Sequence, residues 1–294
     1  MSLSQLFQSK RVLSFELFPP KTAKGEANLM AHVEQLMQFG PDFITCTYGA
    51  GGSTQDKTLE IVRHVKQNFQ VPVASHLTVV GSSVDQLRSY LQRAQDMEVD
   101  YIVALRGDPP QGTDTFVPAD NGLAYANELV SLINQEFPGF EMLVAGYPEK
   151  HQEAVSLDVD LDNLKRKVDA GATAVVTQLF YNNDDFYRFR DKCRQRQIEV
   201  PLVPGLLPIT NLGQIRRITQ LCGATLPAGL VSDLEQNSAA EAQFEIGVQQ
   251  CVEQTQELIA EGVDGLHYYV LNQSAATKRI LEAVDLKRTK VPGA

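Results

Sequence analysis

Eight short runs rich in Val, Ile, Leu and Phe recur along this 294-residue chain, and segments with helical spacing of their apolar residues separate them. The strand-like runs are Val12 to Phe18, Asp42 to Tyr48, Val71 to Val79, Tyr101 to Arg106, Glu141 to Tyr147, Ala172 to Phe180, Val200 to Leu207 and Gly265 to Val270. Between them, Val84, Leu87, Tyr90, Leu91 and Ala94 share one helix face, and Ser83 stands in capping-box spacing to Gln86. Leu123, Ala126, Leu129, Val130 and Ile133 form a second such face. Parallel strands need a long crossover, commonly a helix, so strands that are each followed by a helix belong to a parallel sheet. Eight such units in a chain of this length predict an α/β fold, a single (β/α)8 barrel, with an open doubly wound sheet as the alternative. Residues 1–294 read as one catalytic domain. Extra helical structure is expected around 223–262, before the eighth strand, beginning with the small and polar residues of 223–237.

Acidic residues outnumber Lys plus Arg by 36 to 26, for a formal net charge of −10. Such a balance argues against nucleic acid or an anionic membrane as partner. Cys46, Cys193, Cys222 and Cys251 are scattered and, like the five histidines, show no metal-ligand spacing, so no metal is expected. The opening MSLSQLFQSKRVLSF lacks the marks of a signal peptide, and no apolar run approaches membrane-spanning length. The expectation is a cytoplasmic protein with reduced thiols.

Barrels of this class carry their chemistry where strands end and the following loops begin. Those ends hold Glu16, Thr47 with Tyr48, His76, Arg106 with Asp108, Tyr147 with Glu149 and His151, Gln178, and Tyr269. Glu16 lies inside an apolar run; burial would raise its pKa and suit a general acid, whereas the plainer role is a carboxylate hydrogen-bonded across the barrel mouth. Gly107 permits close backbone approach to a ligand, and Asp108 beyond it reads either as a site carboxylate or as a turn residue paired with Arg106. His76 fits a rim histidine as well as a ligand contact, and Gln178 is an inward amide in need of a partner. The stretch Gly49-Ala-Gly-Gly-Ser-Thr54 is glycine-rich but matches no nucleotide-binding fingerprint, so it reads as a tight, close-approach turn, with phosphate at the following helix start as the alternative. Asp160, Asn163 and Lys167 form a polar stripe beside Leu161, Leu164 and Val168. None of the eight strand runs contains a lysine, which argues against a Schiff-base barrel. From the residues alone, the reading is a barrel enzyme with a site of mainly carboxylates and amides.

Nine segments carry a resemblance to the methylenetetrahydrofolate reductase family. They are SFELFPPK (14–21), TYGA (47–50), SHLT (75–78), ALRGD (104–108), AGYPE (145–149) with His151, NLKRKVDAGA (163–172), TQLF (177–180), PGLLP (204–208) and HYYVLN (267–272), in family order across essentially the whole chain. The resemblance, to the short bacterial type, implies reduction of 5,10-methylenetetrahydrofolate to 5-methyltetrahydrofolate. Hydride would pass from NADH or NADPH through FAD, with both substrates using one flavin face in turn. Glu16 matches the family's general acid and Asp108 the acidic residue beside flavin and pterin. Gln178 matches a substrate amide, and Tyr269 would close the site. Thr47, His76, Arg106, Gly107, Asp108, Tyr125, Ala145, Tyr147, His151, Asp160, Asn163, Arg166 and Lys167 match positions that line or hold FAD. On the substrate side, Leu212 stands where some relatives have an aromatic, and Gln273 where some carry Arg. The resemblance also implies a homo-oligomer and, from the end of the chain after the eighth helix, no regulation by S-adenosylmethionine. A pterin-binding methyltransferase barrel and a non-catalytic folate- or flavin-binding protein are the competing readings.

Overall fold

The computed structural model of the chain describes residues 2–47, 55–109, 112, 115–286 and 288. Tyr48 and the glycine-rich stretch 49–54 lie outside them. In chain order the described elements are α1 (Leu3–Ser9), β1 (Val12–Leu17), α2 (Ala23–Met37), β2 (Phe43–Cys46), α3 (Gln55–Phe69), β3 (Val73–Thr78), α4 (Val84–Asp96), β4 (Tyr101–Leu105), α5 (Ala126–Glu136), β5 (Glu141–Gly146) and α6 (Leu157–Asp169). There follow β6 (Ala174–Thr177), α7 (Asn183–Gln195), β7 (Leu202–Val203), β8 (Gly205–Leu206), α8 (Leu212–Cys222), α9 (Ala228–Gln236), α10 (Ala240–Ala260), β9 (Gly265–Tyr269) and α11 (Ala275–Ala283).

All strand pairings are parallel, in the order β7-β6-β5-β4-β3-β2-β1-β9-β8. The two ends of that order, β7 and β8, are halves of one continuous segment, so the sheet closes into the expected (β/α)8 barrel. Pro204 divides the seventh strand because it has no N–H to give to a ladder. Its carbonyl still accepts from His267 N at 3.0 Å. Val203 and Leu202 pair with β6, and Gly205 and Leu206 with β9. The expected run of 200–207 is therefore two short strands that hand the barrel from one neighbour to the other. Similarly, the run 42–48 shortens to Phe43–Cys46 because the Asp42 carboxylate accepts from Leu13 N and pairs with Lys10 at 2.6 Å, ending its role as a strand residue.

The alternation of side chains along each strand sorts the interior from the exterior. Leu13, Phe15, Ile44, Leu77, Ile102 and Val144 join the core between strands and helices, whereas Val12, Phe43, Tyr101, Leu143 and Val203 form the floor inside the barrel. Helix α1, which the sequence reading did not assign, stoppers that floor with Leu3, Leu6 and Phe7. Ser2 and Gln5 make a capping box at its start, and Glu141 at the foot of β5 accepts from Leu3 N and from Ser4 N. Three helices, α8 to α10, separate β8 from β9. Gly247 on α10 permits their close packing: a Cβ there would lie 1.8 Å from the Ile209 carbonyl oxygen. Among the described residues, no helix is long and apolar enough to cross a membrane, and no group of His, Cys, Asp and Glu is arranged to hold a metal.

Candidate active site

Strand β1 climbs from an apolar floor to a polar mouth. Val12, Ser14 and Glu16 share one face at period two, and Val12 belongs to the floor cluster. Strand β9, which pairs Ser14 with His267 and Glu16 with Tyr269, repeats the change of polarity. Glu16 is only 7% exposed, yet two histidines converge on it. His76 Nε2 lies 3.2 Å and His267 Nε2 3.5 Å from its Oε2, both within ion-pair distance but without regular hydrogen-bond alignment. His267 Nδ1 is 2.8 Å from the Ser14 hydroxyl. With Nε2 turned to a carboxylate, the proton belongs on Nε2, and Nδ1 accepts from Ser14; this tautomer follows from the network.

The expectation of a raised Glu16 pKa is corrected by these neighbours. Burial does push the carboxyl up, but the charge of His76 and the polar contacts of His267 and His76 outweigh it and hold Glu16 at about 2. The sequence reading placed Glu16 and His76 at strand ends but did not single out His267 or Ser14. Period-two spacing from Glu16 and from Tyr269 was the available signal. Level with Glu16 in the register, Tyr269 donates its hydroxyl to the Thr177 carbonyl at 2.7 Å.

A second group of polar residues rims the mouth after β4 and β5. The Tyr147 and His151 rings meet edge to face at 4.7 Å, and His151 N donates to the Asp160 carboxylate at 2.9 Å. Lys167 reaches back from α6 to the Ala145 carbonyl. It forms no ion pair with a carboxylate among the described residues, and burial lowers its ammonium to about 8 despite the charge of Asp160. Burial and the charge of Arg106 likewise hold the His151 imidazole below its ordinary value. Arg106 itself gives both terminal nitrogens to Glu153, at 2.6 and 2.7 Å, and sits 5.1 Å above the Phe116 ring. Its carboxylate partner is thus Glu153, not Asp108, and Glu153 escaped the sequence reading. Gly107 turns the chain at φ +86°, where a Cβ would come within 2.6 Å of Val80, and Asp108 beyond it is exposed.

The remaining expected positions divide. Gln178 follows β6, its N–H bonded to the Gly146 carbonyl at 2.8 Å and its side-chain oxygen to Leu179 N. Together with Tyr147, Lys150 and Cys222 it borders a shallow cleft. Thr47 follows β2, its N–H bonded to the Leu17 carbonyl and its own carbonyl to the Thr58 hydroxyl. Leu212 begins α8 and is buried with Leu179, Leu207 and Ile209. Gln273 is exposed just past β9, and Tyr125 is 61% exposed at the N-cap of α5. Asn163 and Arg166 are exposed, and Arg166 donates to the Asn163 side-chain oxygen at 3.0 Å.

The methylenetetrahydrofolate reductase family profile matches residues 2–285. Methylenetetrahydrofolate reductase (NADH) 1 of Arabidopsis thaliana is 38% identical over 290 residues, covering 95% of this chain and 49% of that protein. The 5,10-methylenetetrahydrofolate reductase of Escherichia coli (strain K12) is 34% identical over 276 residues, covering 94% of this chain and 91% of that protein. The chain therefore spans about half the length of the plant relative and most of the length of the bacterial one. Among solved structures, an uncharacterized protein from Clostridium thermocellum that binds two copies of 5-methyl-5,6,7,8-tetrahydrofolic acid superposes with a TM-score of 0.63 at 16% identity, covering 97% of this chain and 99% of that one. A dihydropteroate synthase from Coxiella burnetii gives 0.52 at 13% identity, over 94% and 92%. At such identities these two similarities speak to the fold alone.

Proposed function

The chain belongs to the methylenetetrahydrofolate reductase family, and we propose that it reduces 5,10-methylenetetrahydrofolate to 5-methyltetrahydrofolate with NADH or NADPH as reductant and FAD as carrier. The observation that carries this reading is the buried carboxylate of Glu16 with two imidazoles on it, above the apolar floor of the barrel.

The residues present fit a flavin nucleotide. Lys167 and Arg106 bring cationic groups to one rim, and the buried Nε2 atoms of His76 and His267 lack a regular hydrogen bond. Arg106, His151 and Lys167 would suit the anionic part of the cofactor, and Thr47, His76 and Ala145 would offer polar contacts to its ring system. Bound FAD supplies the hydride chemistry that protein side chains do not carry.

The chain's own residues handle the proton. Opening the methylene bridge leaves an amine nitrogen that must be protonated, and Glu16 with its histidines is the store. With its carboxyl held at about 2, Glu16 is ionised near neutral pH. Flat ring systems covering the mouth would exclude water, and in a drier site the neutral carboxylic acid is favoured over the carboxylate. That moves a proton onto Glu16 when substrate is present. Asp108, exposed at the mouth, is an acceptor suited to the N–H groups of a pterin, and Gln178 can donate and accept beside it.

The decisive experiment is the visible absorption spectrum of the purified protein under anaerobic conditions. A bound-flavin spectrum that bleaches with NADH or NADPH and returns with methylenetetrahydrofolate is expected. A protein that neither carries nor takes up FAD would overturn the reading and move the weight to a folate-binding or methyl-transferring barrel.

A further inference from the structure

Glu153 stands in a turn whose backbone is pinned from several sides. The Lys150 ammonium folds back on the carbonyls of Ala154, His151 and Gln152 at 2.6, 3.1 and 3.4 Å, from a backbone at φ +128° that non-glycine residues rarely adopt. Glu153 N donates to His151 Nδ1 at 3.2 Å, and Ala154 N to the His151 carbonyl at 3.0 Å. What is left to move is the Glu153 side chain, which is 49% exposed. It occupies the end-on fork of Arg106 with both carboxylate oxygens, a planar two-point fit that a guanidinium offers equally to phosphate. The guanidinium is less exposed, at 21%, and is fixed by the Phe116 face and by its own Nε bonded to the Gly107 carbonyl. One partner of the pair is anchored and the other is free to swing into water.

We infer that Glu153 is a built-in competitor of the diphosphate of the flavin nucleotide: it holds the Arg106 fork and must leave it for the nucleotide to bind there. This rests on the FAD reading of the site. Without a counterion, Arg106 would be a partly buried cation beside Lys167 and the imidazole of His151, so the Glu153 carboxylate stabilises it. The same contact competes with the ligand, because one end-on fork holds one oxyanion at a time. Glu153 therefore weakens nucleotide binding in the native protein.

The test is equilibrium binding of FAD to flavin-stripped protein, with riboflavin, which has no phosphate, as the control. Glu153→Gln and Glu153→Ala should each bind FAD about fivefold more tightly than the native chain, the size expected for removing a partly exposed ion pair. Riboflavin affinity should stay unchanged, and adding Arg106→Gln should erase the gain. If both Glu153 variants bind FAD as well as or worse than the native chain, or tighten on riboflavin equally, Glu153 is a support for Arg106 and the inference fails. If the native chain takes up no FAD at all, the functional reading falls and the inference with it, a distinguishable result.

Discussion

The phenol of Tyr269 passes over Gly205 to reach the Thr177 carbonyl, joining the eighth strand to the sixth across the seventh. A Cβ on Gly205 would lie 2.2 Å from the Thr177 carbonyl oxygen and 2.7 to 2.8 Å from the Tyr269 ring and hydroxyl. Gly205→Ala should therefore destabilise the fold by about 2–4 kcal/mol, since backbone oxygen cannot give way as a flexible side chain does. Chemical denaturation checks this; a loss within about 0.5 kcal/mol would show that the barrel relaxes around the added methyl.

Glu16→Gln keeps the shape of the side chain and removes its proton chemistry. Methylenetetrahydrofolate reduction should fall by at least about a hundredfold, the low end for losing a general acid. Reduction of bound flavin by NADH or NADPH should stay nearly intact. Stopped-flow measurement of the two half-reactions separates these outcomes, and retained folate turnover would remove Glu16 from the role of acid.

Acid stability should also report on Glu16. Its carboxyl is depressed from an ordinary 4.5 to about 2 in the folded protein. The unfolded chain therefore takes up this proton first as pH falls. The stabilisation is fully present above about pH 4.5 and is lost progressively between there and about pH 2, amounting to on the order of 3 kcal/mol. Urea midpoints at pH 6 and pH 3 should fall more steeply for the native chain than for Glu16→Gln. Equal slopes would mean that the histidines do not hold the carboxylate.

Lys167 has the same slope but the opposite effect near neutral pH: its lowered pKa costs stability while the ammonium is charged. Burial lowers its ammonium from 10.5 to about 8, so the unfolded chain holds the proton more tightly and stability should rise as pH climbs through that window. Lys167→Met should raise the stability of the ligand-free protein near neutral pH by about 1–2 kcal/mol, allowing for the lost bond to Ala145. The same variant should bind FAD several-fold more weakly. A variant that is both less stable and unchanged in FAD affinity would show that Lys167 serves packing alone.

Much of the architecture was legible along the chain because its causes are local. Period-two apolar runs, helical stripes and the Ser83 cap are set by neighbours within a few residues, and they predicted a barrel with its polar groups at strand ends. That same locality placed Glu16, His76, Arg106, Asp108, Tyr147 and Gln178 at the mouth. Helix α1 was missed although its capping box was present, because seven residues give too short a stripe to stand out.

What the tertiary structure alone decided is which of those groups meet. Ser14 and His267 are 253 positions apart, and their contact exists only because the barrel closes β1 onto β9 in one register. That closure sets the sign of the Glu16 pKa shift: an apolar run by itself argues for a raised value, and two imidazoles brought from other strands reverse it. Likewise Arg106 chose Glu153, 47 residues away, over the adjacent Asp108, because the Gly107 turn carries Asp108 out to solvent while the loop after β5 folds over the guanidinium. Secondary structure follows from short-range sterics and burial, which a sequence displays; electrostatics follows from distances through space, which only the closed barrel defines.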